Sequence, residues 1–230
     1  INFYSKLFYN MFYIIEPLLN VYLLSSLTIL LGYVLDFTIS KKTLINYCKN
    51  NLDLYIEGIQ STFTNLLIIS PINYLIVYNS ANFLISFSKS FDLIRVIFIL
   101  LIHNILYFIL HYLVHNVTFI RFIHEFHHKF KINLPSIGNA VSIYEFQLMY
   151  VVPFLVASYL LIPSVLEFNA AIMIISSLNC FIHCSELKNS YWIKFLVSPR
   201  QHCNHHLTYY GTYSAPLINF DLIFNKFKKN

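Results

Sequence analysis

Residues 91–130 read FDLIRVIFILLIHNILYFILHYLVHNVTFIRFIHEFHHKF. An apolar run, Phe91–Val114, passes without a break into two clusters of histidine. His111 and His115 form H-x-x-x-H, and His124, His127 and His128 form H-x-x-H-H. The second pattern returns at His202, His205 and His206, with a lone His183 between. On a helix, residues i and i+4 share a face, so each cluster offers two or three ring nitrogens from one turn. Three such turns brought together make a cage of eight nitrogens, with His183 a ninth. Nine donors are too many for one tetrahedral or octahedral ion, and the count predicts two metals in one site. Imidazole suits zinc, copper, iron and nickel. The tenth histidine, His103, lies eight residues before His111. That is roughly 12 Å along a helix, and it is expected to be structural.

The setting is membranous. Hydrophobic residues make up 57% of the chain and charged residues 11%, with a mean hydropathy of +0.62. A soluble domain carries about 25% charged residues. The expected fold is therefore all-α and integral to the membrane: four to five hydrophobic helices with a cytosolic helical cap. The candidate segments are Pro17–Leu35, Ile59–Tyr78, Phe91–Val114, Ser142–Ile162 and Ser164–Ile182. The second is the weakest, broken by Pro71, and reads as kinked or re-entrant. A length of 230 residues allows one domain over 1–230, with the histidine region at about 103–225. The chain begins at Ile1, not Met, which leaves its natural start open; no cleavable signal peptide is evident.

Strict alternation of five spans puts Lys41, Lys42, Lys49, Arg121, Lys129, Lys131, Lys188, Lys194, Arg200, Lys226, Lys228 and Lys229 on one side. Only Lys6, Lys89 and Arg95 fall on the other. Twelve against three is a positive-inside bias, and it predicts that the histidine clusters face the cytosol. The net charge of +5 calls for no nucleic-acid partner, because the basic residues flank apolar segments and form no recognised binding motif. Anionic headgroups are a sufficient attraction. The four cysteines (Cys48, Cys180, Cys184, Cys203) have no C-x-x-C spacing, and no disulfide framework is expected.

A histidine-rich site with open positions on a redox metal can activate O₂, and a membrane site suits substrates that partition into lipid. Oxidation of an unactivated lipid C–H bond follows, with the metal carrying the hard step. Two rivals use the same residues. His124-Glu125-Phe126-His127-His128 also spells H-E-x-x-H, the pattern of a zinc metalloprotease with Glu125 as general base. That reading needs one further ligand and leaves most of the histidines unexplained. A metal transporter would carry acidic residues inside several spans, whereas here they sit near segment ends.

These motifs resemble the fatty acid hydroxylase/sterol desaturase superfamily. The H-x-x-x-H, H-x-x-H-H, H-x-x-H-H series runs from His111 to His206, and the likeness extends from about Gly32 to the C-terminus. Phe122–Phe130 resembles the family's second motif. Glu145 stands where the family has the Glu of a His-Pro-x-Glu stretch, and His183 where it has a lone His. Thr212-Tyr213-Ser214 and Asp221-Leu222-Ile223-Phe224 resemble its closing motifs. The resemblance implies two irons held by the nine clustered histidines, O₂ as oxidant, and electrons from NAD(P)H through cytochrome b5 or a similar carrier. It further implies a sterol or fatty acyl substrate and a multi-pass location in the endoplasmic reticulum. Pro199–His206 and Gly211–Ala215 most resemble the 4-methyl sterol oxidases, which implies a monooxygenase of sterol biosynthesis. Other sterol desaturases and fatty acid hydroxylases are the alternatives within the family. The final Lys226–Asn230 resembles a retrieval signal for the endoplasmic reticulum. Several positions depart from the family pattern. Asn104 replaces an Asp, Tyr112 an Arg, Glu125 a Lys and Asn225 a Gly, and Ser142 and Tyr144 stand in the His-Pro-x-Glu stretch, whose His is lost. These departures leave an inactive homologue as a further alternative.

Overall fold

The computed structural model describes residues 3–79 and 91–227, with side chains described for 15–77 and 91–224. The side chains of Lys6, Lys89, Asn225 and the Lys226–Asn230 tail lie outside them. Among the described residues the fold is helical, with no strand beyond one isolated bridge between Leu196 and Ile218. The elements are α1 (Phe3–Thr38), α2 (Lys41–Asn50), α3 (Leu52–Phe63), α4 (Ser70–Asn79), α5 (Leu93–Asn116), α6 (Phe122–Glu125), α7 (Ile143–Glu145), α8 (Val152–Leu161), α9 (Val165–Ile182), α10 (Pro199–Thr208) and α11 (Asp221–Phe227). A π-helical turn, Thr64–Ile69, carries α3 into α4, and another, Phe146–Val151, carries α7 into α8.

Among the described residues, four stretches are long and apolar enough to cross a membrane: Ile15–Thr38, Leu93–Asn116, Ile143–Leu161 and Val165–Ile182. The fifth expected segment, Ile59–Tyr78, is not among them. It is helical and passes through Pro71 unbroken, but Gln60, Ser61, Thr62, Thr64 and Asn65 make its first turns polar. It folds back along α1. Ser25 Oγ donates to the Leu66 carbonyl at 2.7 Å, and Val21 and Leu24 pack with Tyr74, Val77 and Phe168.

Local chemistry aligns the remaining helices. Ser164 and Glu167 form a capping box at the start of α9, and the Glu167 carboxylate also accepts from the Asp92 backbone N–H at 2.7 Å and from Arg95 at 3.1 Å. The starts of α5 and α9 are thereby clamped side by side, so the two helices run parallel. Val96, Ile99 and Leu100 of α5 pack with Ala157 of α8 and Ala171 and Ile175 of α9. Alanine at these contacts lets helix backbones approach closely. Both parallel helices therefore deliver their C-terminal ends, His111–His115 and His183, to one end of the bundle. The cap at that end is built from α6, a 3₁₀ turn over His127–Lys129, α10 and α11. At the turn beside it Gly138 lets the backbone approach closely: a Cβ there would press on the His183 ring at 3.1 Å.

Candidate metal centre

All nine clustered histidines converge. His111 and His115 come from the last turn of α5. The H-x-x-H-H at 124–128 begins in α6 and tightens into the 3₁₀ turn, rather than forming one regular helix. The H-x-x-H-H at 202–206 lies wholly within α10, whose start is fixed by a Ser198–Gln201 capping box with Pro199 in its first turn. His183 follows directly on α9. The rings sort into two groups whose nitrogens lie within 4.8 Å of one another: His111, His115, His124, His128 and His205, and His127, His183, His202 and His206. Each H-x-x-H-H box is divided between the groups. The i,i+4 pair serves one, and the middle histidine crosses to the other.

Hydrogen bonds fix which nitrogens face inward. Nδ1 of His111 donates to the Tyr213 carbonyl at 2.7 Å, and Nδ1 of His205 to the Gly211 carbonyl at 2.7 Å. His124 Nδ1 is hydrogen-bonded to Glu145 Oε1 at 2.6 Å. In the other group His127 donates to the Ala140 carbonyl at 3.1 Å and His183 to the Asn179 carbonyl at 2.7 Å. A carbonyl only accepts, so the Nδ1 atoms of His111, His127, His183 and His205 carry the proton and the Nε2 of each presents a bare lone pair. Yet the Nε2 of His111 lies 3.1 Å from that of His205. Lone pairs so close repel unless a cation sits between them. With a metal–nitrogen bond of about 2.1 Å, ligands at right angles stand about 3.0 Å apart and tetrahedral ones about 3.4 Å. The closest nitrogen–nitrogen spacings within the two groups, 2.9–3.2 Å, match the right-angled case. The residues fit a pair of cations.

Burial, and then the neighbouring imidazoles, push the cap histidines well below the ordinary imidazole range. His127 falls to about 3 and His128 to about 2, and His124, His202 and His206 are also strongly lowered. His183 and His205 fall to about 4, with burial the leading cause. All are therefore neutral and able to ligate at pH 7. The unfolded chain takes up protons near pH 6.5 while the folded one does not. Stability is then fully present above about pH 6.5 and is lost as pH falls toward the folded values. Thermal melts of the metal-free protein should show a midpoint that drops between pH 7.5 and 5; a flat profile would contradict a neutral buried cage.

Residues outside the cage position it. Glu145, fully buried, holds His124, and Ser142 caps α7 by accepting from the Glu145 N–H at 3.1 Å while donating to the Ile123 carbonyl at 2.7 Å. Asp221 accepts from the backbone N–H of Tyr213 and of Ser214 at 3.1 and 2.8 Å, shaping the loop whose carbonyls hold His111 and His205. Asn104, in place of an Asp, accepts from the Leu217 N–H at 3.2 Å. Motif position marks Glu145 and Asp221 in the sequence, but their partners do not follow from it. His103 is fully buried against Phe154, ring centroids 4.4 Å apart, and stays outside the cage as expected. The five-histidine group opens onto a cleft of about 600 Å³ lined by Arg121, Glu125, Lys129 and Tyr209.

A family model described as fatty acid hydroxylase matches residues 96–226, more than half of the chain and all nine cage histidines. The chain belongs to the fatty acid hydroxylase family. No curated protein and no solved structure matches it. Membership places this fatty acid hydroxylase relative in the fatty acid hydroxylase/sterol desaturase superfamily and supports a lipid hydroxylase- or desaturase-type function. Together with the histidine groups, it supports a metal-dependent oxygenase.

Proposed function

We propose that this chain, as one domain, is an O₂-dependent di-iron oxidoreductase of the membrane that hydroxylates or desaturates a lipid C–H bond. His111, His115, His124, His128 and His205 hold one iron, and His127, His183, His202 and His206 hold the other. The observation that carries this reading is the meeting of bare Nε2 lone pairs at 3.1 Å on His111 and His205. Right-angled donor spacing favours iron over zinc, whose structural sites are tetrahedral. Two irons, when bound, supply the O₂ activation that side chains alone cannot. The protein's part is positioning. Glu145, Asp221 and the carbonyls of Ala140, Asn179, Gly211 and Tyr213 lock tautomer and ring angle, which raises ligand basicity. Burial keeps the cap rings neutral and water out.

By resemblance, the substrate is a sterol and the reaction like that of a 4-methyl sterol oxidase. The cage faces the cytosol from the endoplasmic reticulum membrane. Arg121 and Lys129 beside the open cleft suit an acidic carrier such as cytochrome b5, delivering electrons from NAD(P)H.

The test is elemental mass spectrometry on protein purified anaerobically from iron-supplemented cells. About two irons per chain are expected. One zinc would revive the H-E-x-x-H protease, and no metal in folded protein would mark an inactive homologue. Glu125 lines the cleft but is exposed. Accordingly, Glu125→Gln should largely spare lipid oxidation, whereas a protease would lose its general base; peptide hydrolysis abolished by this change would overturn the oxygenase reading.

A further inference from the structure

A second cleft, of about 470 Å³, lies among the segment that follows α9, the first turn of α10 and α11. None of the cage histidines lines it. Lys188, Lys194 and Arg200 do, and no carboxylate does. All three cations are exposed, and none forms an ion pair among the described residues. Like charges around one concavity focus a positive potential. Trp192 lines the same cleft, and its Nε1 is buried without a hydrogen-bond partner among the described residues. An indole N–H only donates, and a buried donor left unpaired destabilises the fold. Three cations and a spare N–H complement an anionic group with several oxygens, such as a phosphate.

The cleft lies beside the spanning helices. Its lining segment is tied to the stretch before α11, because Val197 N–H donates to the Leu217 carbonyl and Asn219 N–H to the Phe195 carbonyl, each at 2.9 Å. Leu217 N–H in turn donates to Asn104 Oδ1 at 3.2 Å, and Phe224 packs on Phe108 with ring centroids 5.0 Å apart. Asn104 and Phe108 both belong to Leu93–Asn116, a stretch long and apolar enough to cross a membrane. Around the cleft the surface is apolar. Tyr191, Ile193 and Phe195 alternate with the lining residues Trp192 and Lys194, and Ile223 and Phe224 follow the lining residue Leu222. All five are exposed, Tyr191 at 94%. Aromatic and basic residues mixed in this way beside a spanning helix suit the headgroup layer of a bilayer. A soluble anion would account for the cations but not for the five apolar side chains.

We propose that this cleft seats the headgroup of an anionic phospholipid, with Lys188, Lys194 and Arg200 facing its charge, Trp192 Nε1 donating to a phosphate oxygen, and Tyr191, Ile193 and Phe195 set among the acyl chains. This lipid is a bound component of the membrane and not the substrate, since no cage histidine reaches the cleft. Ser198 and Arg200 begin α10, so a bound headgroup also braces the helix that carries His202, His205 and His206.

Trp192 is the single tryptophan of the chain, and its fluorescence reports this cleft alone. The test places the full chain in phosphatidylcholine nanodiscs with an equal small share of lipid brominated on its acyl chains, either phosphatidylserine or phosphatidylcholine. Bromine quenches tryptophan on close approach. The anionic lipid should be enriched at Trp192 by at least about fivefold, the contribution of one cation near a charged surface. Equal quenching by the two lipids would overturn the proposal, and this comparison needs no variant to fold. Lys188→Gln with Lys194→Gln should remove most of the enrichment. Lys49→Gln with Lys131→Gln, neither of which lines the cleft, should leave it intact. Enrichment that survives the first pair, or is lost equally with both pairs, would overturn the site in favour of general surface charge. Inorganic phosphate and chloride at matched ionic strength should weaken the enrichment equally, by screening. Phosphate that displaces the anionic lipid where chloride does not would identify a free phosphate as the occupant and overturn the lipid.

Discussion

His127→Ala is expected to empty one metal position and to lower lipid oxidation by more than about a hundredfold. Loss of an outer partner of a metal ligand already costs about 10–100-fold, and His127 is proposed as a ligand itself. The change removes one of four donors from the group with His183, His202 and His206, and leaves the five-histidine group complete. Iron content should therefore fall from about two to about one per chain, while the protein stays folded. The result separates models cleanly, because His127 is the one member of its box that an H-E-x-x-H zinc site does not use. Full activity, or two irons retained, would break the division of the histidines described above.

Glu145→Ala should come next in severity. Glu145 and His124 are both buried, and the 2.6 Å contact is the only partner of His124 Nδ1 among the described residues. Truncation leaves that nitrogen unpaired in an apolar interior and frees the ring to turn. Iron affinity is expected to fall about 10–100-fold, measured by titrating iron into the metal-free protein. Glu145→Gln, which keeps an acceptor oxygen in place, should recover much of the loss. Equal defects in the two variants would point to bulk packing rather than to ligand orientation.

The cage was legible in the sequence because helical spacing is local. His111 and His115, His124 and His128, and His202 and His206 each repeat at i,i+4 and fall in the same group. The division of each box was legible in principle too. At 3.6 residues per turn, position i+4 lies about 40° from i on one side and i+3 about 60° on the other. His205 therefore projects away from His202 and His206, and His127 from His124 and His128. What spacing cannot supply is the partner lying far along the chain. His111 depends on a carbonyl at Tyr213, and His124 on a carboxylate at Glu145. The second segment, read from the sequence as the weakest and as kinked or re-entrant, is not among the four apolar stretches for a related reason. Ile59–Tyr78 is polar over its first turns, and one of those residues, Asn65, is buried with its Nδ2 on the Val141 carbonyl at 2.8 Å. Hydropathy reads such a residue as exposed.

The crossing of the two H-x-x-H-H boxes also sets an order in time. The five-histidine group needs His205, and its ring is held by a carbonyl at Gly211, while the four-histidine group needs His127 from far earlier in the chain. During synthesis, α5 and the loop after it emerge with their imidazoles exposed, and neither group can close until α10 and the loop beyond it have left the ribosome. On the proposed ligand assignment, metal loading would therefore be a late, nearly simultaneous event for both positions. A nascent chain stalled before α10 would be a membrane-embedded bundle with an open, cation-hungry end, and a natural client for whatever delivers metal or removes unfinished chains.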